Sequence, residues 1–202
     1  LVGKLGVPTE AKNLIWLFHA SNELKKAPKH SVRTLGVLGA GLMGEGIASV
    51  SLPLTNVVLR DISQQSIARA KDRIFKQLDH RVTSGSLSIQ NAEEQKSRLH
   101  VTVETGPLKS ADLVIEAVFE EVPLKQKVLR EIEAIVSTKT VIASNTSALP
   151  IHEIAADATH PERYLGMHYF SPVPKMPLLE IVVAKKTADW AVGVAQSYGI
   201  AQ

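Results

Sequence analysis

Thr34-Leu35-Gly36-Val37-Leu38-Gly39-Ala40-Gly41-Leu42-Met43-Gly44 is the stretch that decides how the rest of the chain is read. The residues up to Leu38 suit a short buried strand, and Gly39, Gly41 and Gly44 then fill a G-x-G-x-x-G pattern. Each glycine has a physical task. Gly39 lets the chain turn sharply off the strand, Gly41 lets backbone approach a pyrophosphate, and Gly44 lets the following helix pack close to the sheet. The helix N-terminus, near Gly41, offers unpaired N–H groups and a positive dipole end to phosphates. Three glycines in six residues also occur in plain turns, so the context decides. A second apolar run, Asn56-Val57-Val58-Leu59-Arg60-Asp61, ends on an acid 22 residues after Gly39. That is where a dinucleotide-binding unit places the carboxylate that bonds the adenosine ribose hydroxyls. Strand, glycines, helix, strand and acid in this order predict an NAD site.

Outward from this unit, apolar runs alternate with helical periodicity. Helix A runs through Ile47, Ala48 and Val50 and should end before Pro53. Ser63 is a candidate cap for a helix carrying Ile67, Ala70, Ile74 and Leu78, which Gly85 breaks. Further strands are expected at His100–Val103, Asp112–Glu116, Thr140–Ala143, Tyr164–Phe170 and Leu178–Val183. Helices are expected at Gln90–Arg98, from Pro123 through Ile135, around Ile151–Ala156 and at Ala188–Ile200. Strands alternating with helices predict an α/β fold with a doubly wound, mostly parallel sheet. Right-handed crossovers would then place all strand C-termini on one edge, where ligands bind. Ahead of the unit, Glu10–Lys26 reads as a helix and Ala27-Pro28 as a breaker, giving an N-terminal helical appendage.

Composition bounds the function. The chain has 202 residues, 45% hydrophobic and 21% charged, an ordinary balance for a packed domain. Aromatic residues are only 4%, so Val, Leu, Ile and Ala must build the core. The net charge is +3, with Lys and Arg dispersed rather than blocked, which disfavours nucleic acid. The absence of Cys excludes disulfides, thiolate metal sites and Cys nucleophiles. No apolar run reaches the roughly 20 residues of a membrane helix. Leu1 is not a start methionine, so the chain reads as a piece of something longer.

Several side chains fall at or just past strand ends on the ligand edge. His168 lies in Gly166-Met167-His168-Tyr169-Phe170-Ser171-Pro172-Val173-Pro174, ahead of a proline-constrained turn, and Glu180 follows within the next strand. A lone His is more often structural than catalytic. A His oriented by a carboxylate, however, is the arrangement a general base needs. Beside NAD, such a base would take an alcohol proton while hydride leaves the carbon, giving a ketone. Ser147 could bond a substrate hydroxyl or the nicotinamide end, or else cap the helix before Ile151. Glu120 and Lys125 could reach cofactor ribose or phosphate, or else form a solvated helix start. The remaining histidines are scattered without metal spacing.

Four blocks, Gly39–Gly44, Val114–Glu120, Ala143–Leu149 and Gly166–Pro174 with Leu178-Leu179-Glu180, closely resemble the L-3-hydroxyacyl-CoA dehydrogenase family, in the family's order. Ser171 is most similar to the dehydrogenase part of multifunctional fatty-acid oxidation enzymes, where single-function relatives usually carry Asn. The resemblance implies a Rossmann-type NAD-binding domain over 32–202 and a linker helix within 1–31. It implies that the family's final strand and C-terminal helical domain are absent. It implies NAD as cofactor, a 3-hydroxyacyl-CoA as substrate, and oxidation to the 3-ketoacyl-CoA in β-oxidation. His168 then corresponds to the base, Glu180 to its partner, and Ser147 to the serine contacting substrate and cofactor. Met43, Asp61, Val118, Phe119, Glu120, Lys125 and Ser171 correspond to cofactor-contacting positions, beside Gly39, Gly41, Leu42 and Gly44. Expected neighbours are a hydratase domain and the C-terminal dehydrogenase domain, with a homodimer left open. The compartment would be cytoplasmic in a bacterium and mitochondrial in a eukaryote. Two other readings stand beside this one: another NAD-dependent β-hydroxyacid dehydrogenase, and a non-catalytic Rossmann binding module.

Overall fold

Strand β1 (Thr34–Leu38) lies at the centre of a seven-stranded sheet, and the chain winds away from it in both directions. The computed structural model describes residues 30–202, with Thr9, residues 11–13 and Ile15. The expected helix over Glu10–Lys26 therefore lies, apart from those few positions, outside the described residues. From β1 the chain passes through α1 (Leu42–Ser51) to β2 (Asn56–Arg60), then through α2 (Gln64–Thr83) and α3 (Ile89–Ser97) to β3 (Leu99–Thr102). It then crosses to the other side of β1 for β4 (Leu113–Glu116), α4 (Val122–Glu133), β5 (Val141–Ser144), α5 (Ile151–Ile154), β6 (Tyr164–Tyr169), β7 (Leu179–Val182) and α6 (Asp189–Ala201). The spatial order β3-β2-β1-β4-β5-β6-β7 reverses between β1 and β4. This is the switch point at which open α/β sheets bind ligands.

Both faces of the sheet are buried, and the strand alternation shows how. Leu35, Val37, Val57, Leu59, Leu113 and Ile115 face one cluster, while Leu38, Val58, Val114 and Ile142 face the other. Helices α1, α2, α3 and α6 cover the first face, and α4 and α5 cover the second. This explains the continuous apolar strands, since a parallel sheet covered on both sides has no polar face.

Helix α2 is polar in composition, yet it holds its place through one stripe. Ile67, Ala70, Ile74 and Leu78 recur at helical spacing and are buried. Burial of each large aliphatic side chain contributes about 1.5–3 kcal/mol, so Ile74→Ala would remove more than any surface change on this helix. The Ser63 hydroxyl accepts from the Ser66 amide at 3.2 Å and caps its start. Gly85, at φ +76°, takes the chain off its end.

One expectation about the sheet needs correction. Strands β1 to β6 run parallel, but β7 is antiparallel to β6. The C-terminus of β7 thus lies on the edge opposite the other six. The cause is the connection: residues 170–178, containing Pro172, Pro174 and Pro177, join β6 to β7. A parallel crossover needs roughly a dozen residues or more, usually with a helix, so the strand can only fold back.

Candidate active site

The glycine turn follows β1 directly. Gly39 has φ +99°, a conformation glycine alone adopts easily, and its amide donates to the Arg60 carbonyl at 2.8 Å. A Cβ on Gly44 would run into the Gly39 carbonyl, so the helix can lie this close to the strand only without a side chain there. Gly41 behaves differently. A Cβ at this position would meet no protein atom within 4 Å. Gly41 caps α1 and no side chain caps the helix end. The first-turn N–H groups therefore face the cleft without a side-chain acceptor.

That cleft has a volume of about 460 Å³ and opens between the β1, β2 and β4 ends. Gly39, Gly41, Leu42, Met43, Asp61, Val118 and Phe119, all expected at the cofactor, line it together. Leu42 and Phe119 are exposed, as is Ile62, which the sequence reading did not single out. The Asp61 carboxylate is held from both sides: Oδ2 accepts from the Ala40 amide at 2.7 Å and Oδ1 from the Ser63 amide at 2.9 Å. Each oxygen keeps a further lone pair for a hydroxyl donor. A turn without side-chain obstruction, an open helix N-terminus and an immobilised acid fit a dinucleotide.

A second constellation is built from β4, α4 and the loop after β5. The Lys125 ammonium contacts Glu116 Oε1 at 2.7 Å and Glu120 Oε2 at 3.2 Å. Glu120 Oε1 accepts from the Thr146 hydroxyl at 2.5 Å and from the Ser147 amide at 3.0 Å. Burial pushes the Glu120 carboxyl up, but the bonds from Thr146, Lys125 and Ser147 outweigh it, and the net shift is downward from the ordinary value. Lys125 is neither solvated nor open to the cleft: at 1% exposure it is enclosed by its two carboxylates. Ser147 is exposed. It does not cap α5, whose cap position is Pro150.

The third constellation arises from the reversal at β7. Antiparallel register sets His168 directly opposite Glu180, and Nδ1 lies 3.0 Å from Oε2. With Nδ1–H donating to the carboxylate, Nε2 is left as the acceptor nitrogen. The Phe170 ring tilts against the imidazole at 4.4 Å between centroids. Asn145 Oδ1 accepts from the Tyr169 amide at 2.8 Å, tying the Ser147 loop to the strand end that carries His168. Ser171 is exposed just beyond, in the turn whose Val173 packs against Gly46 of α1.

The sequence reading gave no role to Glu116, Ser144 or Thr146. Glu116 had a signal, since an acid closing the apolar run Leu113-Val114-Ile115 sits where a side chain is buried. The two hydroxyls carried no such signal.

The fold and the cleft define a Rossmann-type dinucleotide-binding domain. The family described as 3-hydroxyacyl-CoA dehydrogenase, NAD binding domain, matches residues 34–199, and the chain belongs to it. Its cofactor is accordingly NAD. The fatty acid oxidation complex subunit alpha of Shewanella amazonensis is 38% identical over 204 residues, covering 97% of this chain and 29% of the relative. That of Vibrio parahaemolyticus is 39% identical over 194 residues, covering 93% and 28%. The chain thus spans under a third of the length of these curated relatives. Among solved structures, 3-hydroxybutyryl-CoA dehydrogenase from Escherichia coli superposes with a TM-score of 0.80 at 36% identity, covering 84% of this chain and 37% of that one. The (S)-3-hydroxybutyryl-CoA dehydrogenase of Ralstonia eutropha gives 0.78 at 35% identity, covering 84% and 62%. Among the described residues, no helix is long and apolar enough to cross a membrane.

Proposed function

We propose that this chain forms the NAD-holding part of an L-3-hydroxyacyl-CoA dehydrogenase that oxidises a 3-hydroxyacyl-CoA to the 3-ketoacyl-CoA in β-oxidation. The observation that carries the proposal is the His168–Glu180 pair, set on the same sheet edge as the glycine turn. Bound NAD supplies the hydride acceptor. His168 Nε2 takes the proton of the substrate's C3 hydroxyl as the carbonyl forms. Glu180 keeps the imidazole in the tautomer that can accept it and stabilises the resulting cation. Ser147 donates to the substrate oxygen and fixes its orientation. Asp61 bonds the adenosine ribose, which disfavours a 2′-phosphate in that place. The first turn of α1 holds the pyrophosphate. Met43, Val118, Phe119, Ser171 and Glu120 would contact the cofactor, with Lys125 holding Glu120 from behind.

The length of the α-subunit relatives supports a longer parent chain, and the family resemblance implies a hydratase domain ahead of this one and a helical dehydrogenase domain after it. Such a parent would close the substrate cleft and could pair as a homodimer. It would work in the cytoplasm of a bacterium or the mitochondrion of a eukaryote.

Two measurements test the proposal. Calorimetric titration of the 202-residue chain with NADH should show micromolar-range binding, with a further signal when acetoacetyl-CoA is added. In the full-length protein, His168→Ala should lower kcat by about 10²–10⁴-fold and leave NADH affinity nearly intact. Wild-type turnover in that variant would remove His168 as the base. Turnover of 3-hydroxy acids that ignores CoA would favour the other β-hydroxyacid dehydrogenase reading.

A further inference from the structure

Glu116 is a carboxylate with no access to solvent, at the end of the strand bordering the switch point. It is fully engaged. Oε1 accepts from the Val118 amide and the Lys125 ammonium, both at 2.7 Å, and Oε2 accepts from the Ser144 hydroxyl at 2.6 Å. The three donors come from three places: the turn after β4, helix α4 and strand β5. An ion pair this deep adds little to stability that apolar side chains of similar volume would not supply. Its value lies in what it orients.

The ammonium that Glu116 holds also reaches Glu120, and Glu120 in turn holds the Thr146 hydroxyl and the Ser147 amide. A carboxylate–ammonium–carboxylate relay therefore joins a buried strand end to the exposed loop that carries Ser147. We infer that Glu116 is a positioning residue of the dinucleotide cleft, which holds Lys125 between two carboxylates and so sets Glu120 and the Ser147 loop. It also fixes the turn through which Val118 lines the cleft. The charge count supports this role. Two carboxylates sharing one ammonium leave the cluster with one net negative charge, and Glu120 is its solvent-exposed member. With the Glu116 charge removed, Lys125 belongs to Glu120 alone, neutralises it and draws it away from the loop.

The inference rests on the proposed NAD-binding function, and the tests separate the two. In the cofactor-free chain, the Ser147 amide should exchange with solvent faster in Glu116→Gln than in the wild type. In NADH titrations, Glu116→Gln should weaken binding about tenfold, the scale of one hydrogen bond to a charged group. In a Glu120→Gln background the same substitution should change affinity by less than about twofold, because the relay then has no end to act on. An equal loss in both backgrounds would mean a merely structural role, and unchanged exchange with unchanged affinity would overturn the inference. If Glu116→Gln does not fold, Ser144→Ala carries the test. It removes one donor and no charge, and should weaken binding about threefold only where Glu120 is present. A wild-type chain that fails to bind NADH would remove the cofactor reading, while the exchange measurement would still decide the role of Glu116.

Discussion

The glycine-turn region and the His168–Glu180 region, proposed as the cofactor and proton-transfer ends, are built in opposite ways. Around β1, α1 and β2, the groups that matter lie within a short run of chain, and the backbone, with the Asp61 carboxylate fixed by it, forms the surface. Around β5, β6 and β7, the proposed functional groups are side chains, and each side chain, or the backbone that carries it, is held by a residue from another element. Asn145 holds the Tyr169 amide, Glu120 holds Ser147, and Glu180 holds His168. A backbone site needs particular residues mainly so that nothing obstructs it. A side-chain site needs partners, because an unsupported rotamer does not stay in a catalytic geometry. The first kind should fail sterically and the second electrostatically.

After His168→Ala, the largest expected effect belongs to Glu180, the partner of the proposed base. Glu180→Gln should lower kcat of the full-length enzyme by about 10–100-fold with little change in NADH affinity, because the imidazole loses its orientation and its counter-charge. This is smaller than for a buried triad acid, since the Glu180 side chain is 53% exposed and screened. An unchanged kcat would mean that His168 needs no orienting partner.

The glycine turn offers a contrast within one motif. Gly44→Ala should destabilise the chain by about 1–3 kcal/mol in urea unfolding, since its Cβ has to displace the Gly39 carbonyl and with it the helix. Gly41→Ala has room and an ordinary backbone conformation, with φ −77°. It should leave stability within about 0.5 kcal/mol and weaken NADH binding more than tenfold, by standing where a phosphate approaches. If both variants lost stability equally, the distinction between scaffold glycine and ligand glycine would fail. Asp61→Ala comes next, with about a tenfold loss in NADH affinity and no effect on the proton-transfer groups. Unchanged affinity would refute its ribose role.

The smallest effect is on acid stability. Glu133 and Glu120 both titrate below the ordinary 4.5. For Glu133, burial raises the pKa, while the Thr159 and His160 amides and then Arg163 lower it further than burial lifts it. A carboxyl with a depressed folded pKa binds fewer protons folded than unfolded. It therefore stabilises the fold above about 4.5 and loses that contribution as the pH falls through its folded value. Glu133→Gln, and more weakly Glu120→Gln, should flatten the decline of stability below pH 4.5 in denaturant titrations. A parallel acid limb in Glu133→Gln would remove these contacts as its cause.

Much of the fold was legible because its signals are local. The strand at Thr34–Leu38 falls where the apolar run places it. The Ser63 cap, the α2 stripe and the end of α1 before Pro53 also follow from neighbouring residues alone. Boundaries slipped where the pattern was weak, as at β3, which begins at Leu99 rather than His100. The direction of β7 was not legible in its own residues, because strand polarity belongs to the connection and the partner. The burial of Lys125 was not legible for a related reason. An ammonium at a helix start reads as solvated unless the acid from the preceding strand is known to lie beneath it.

By itself, the sequence determined the dinucleotide-binding unit, since three glycines, a helix start and an acid at fixed spacing encode backbone geometry within one continuous stretch. His168, Glu180 and Ser147 were also legible, first from their places near strand ends and then from the family resemblance. Only the tertiary structure decided how they are held. The antiparallel return of β7 puts Glu180 in register with His168, and the burial of Glu116 and Lys125 makes a surface pair into a relay. The physical reason is that a charged side chain takes its role from the partners within about 4 Å of it, and here those partners come from elements far apart in the chain.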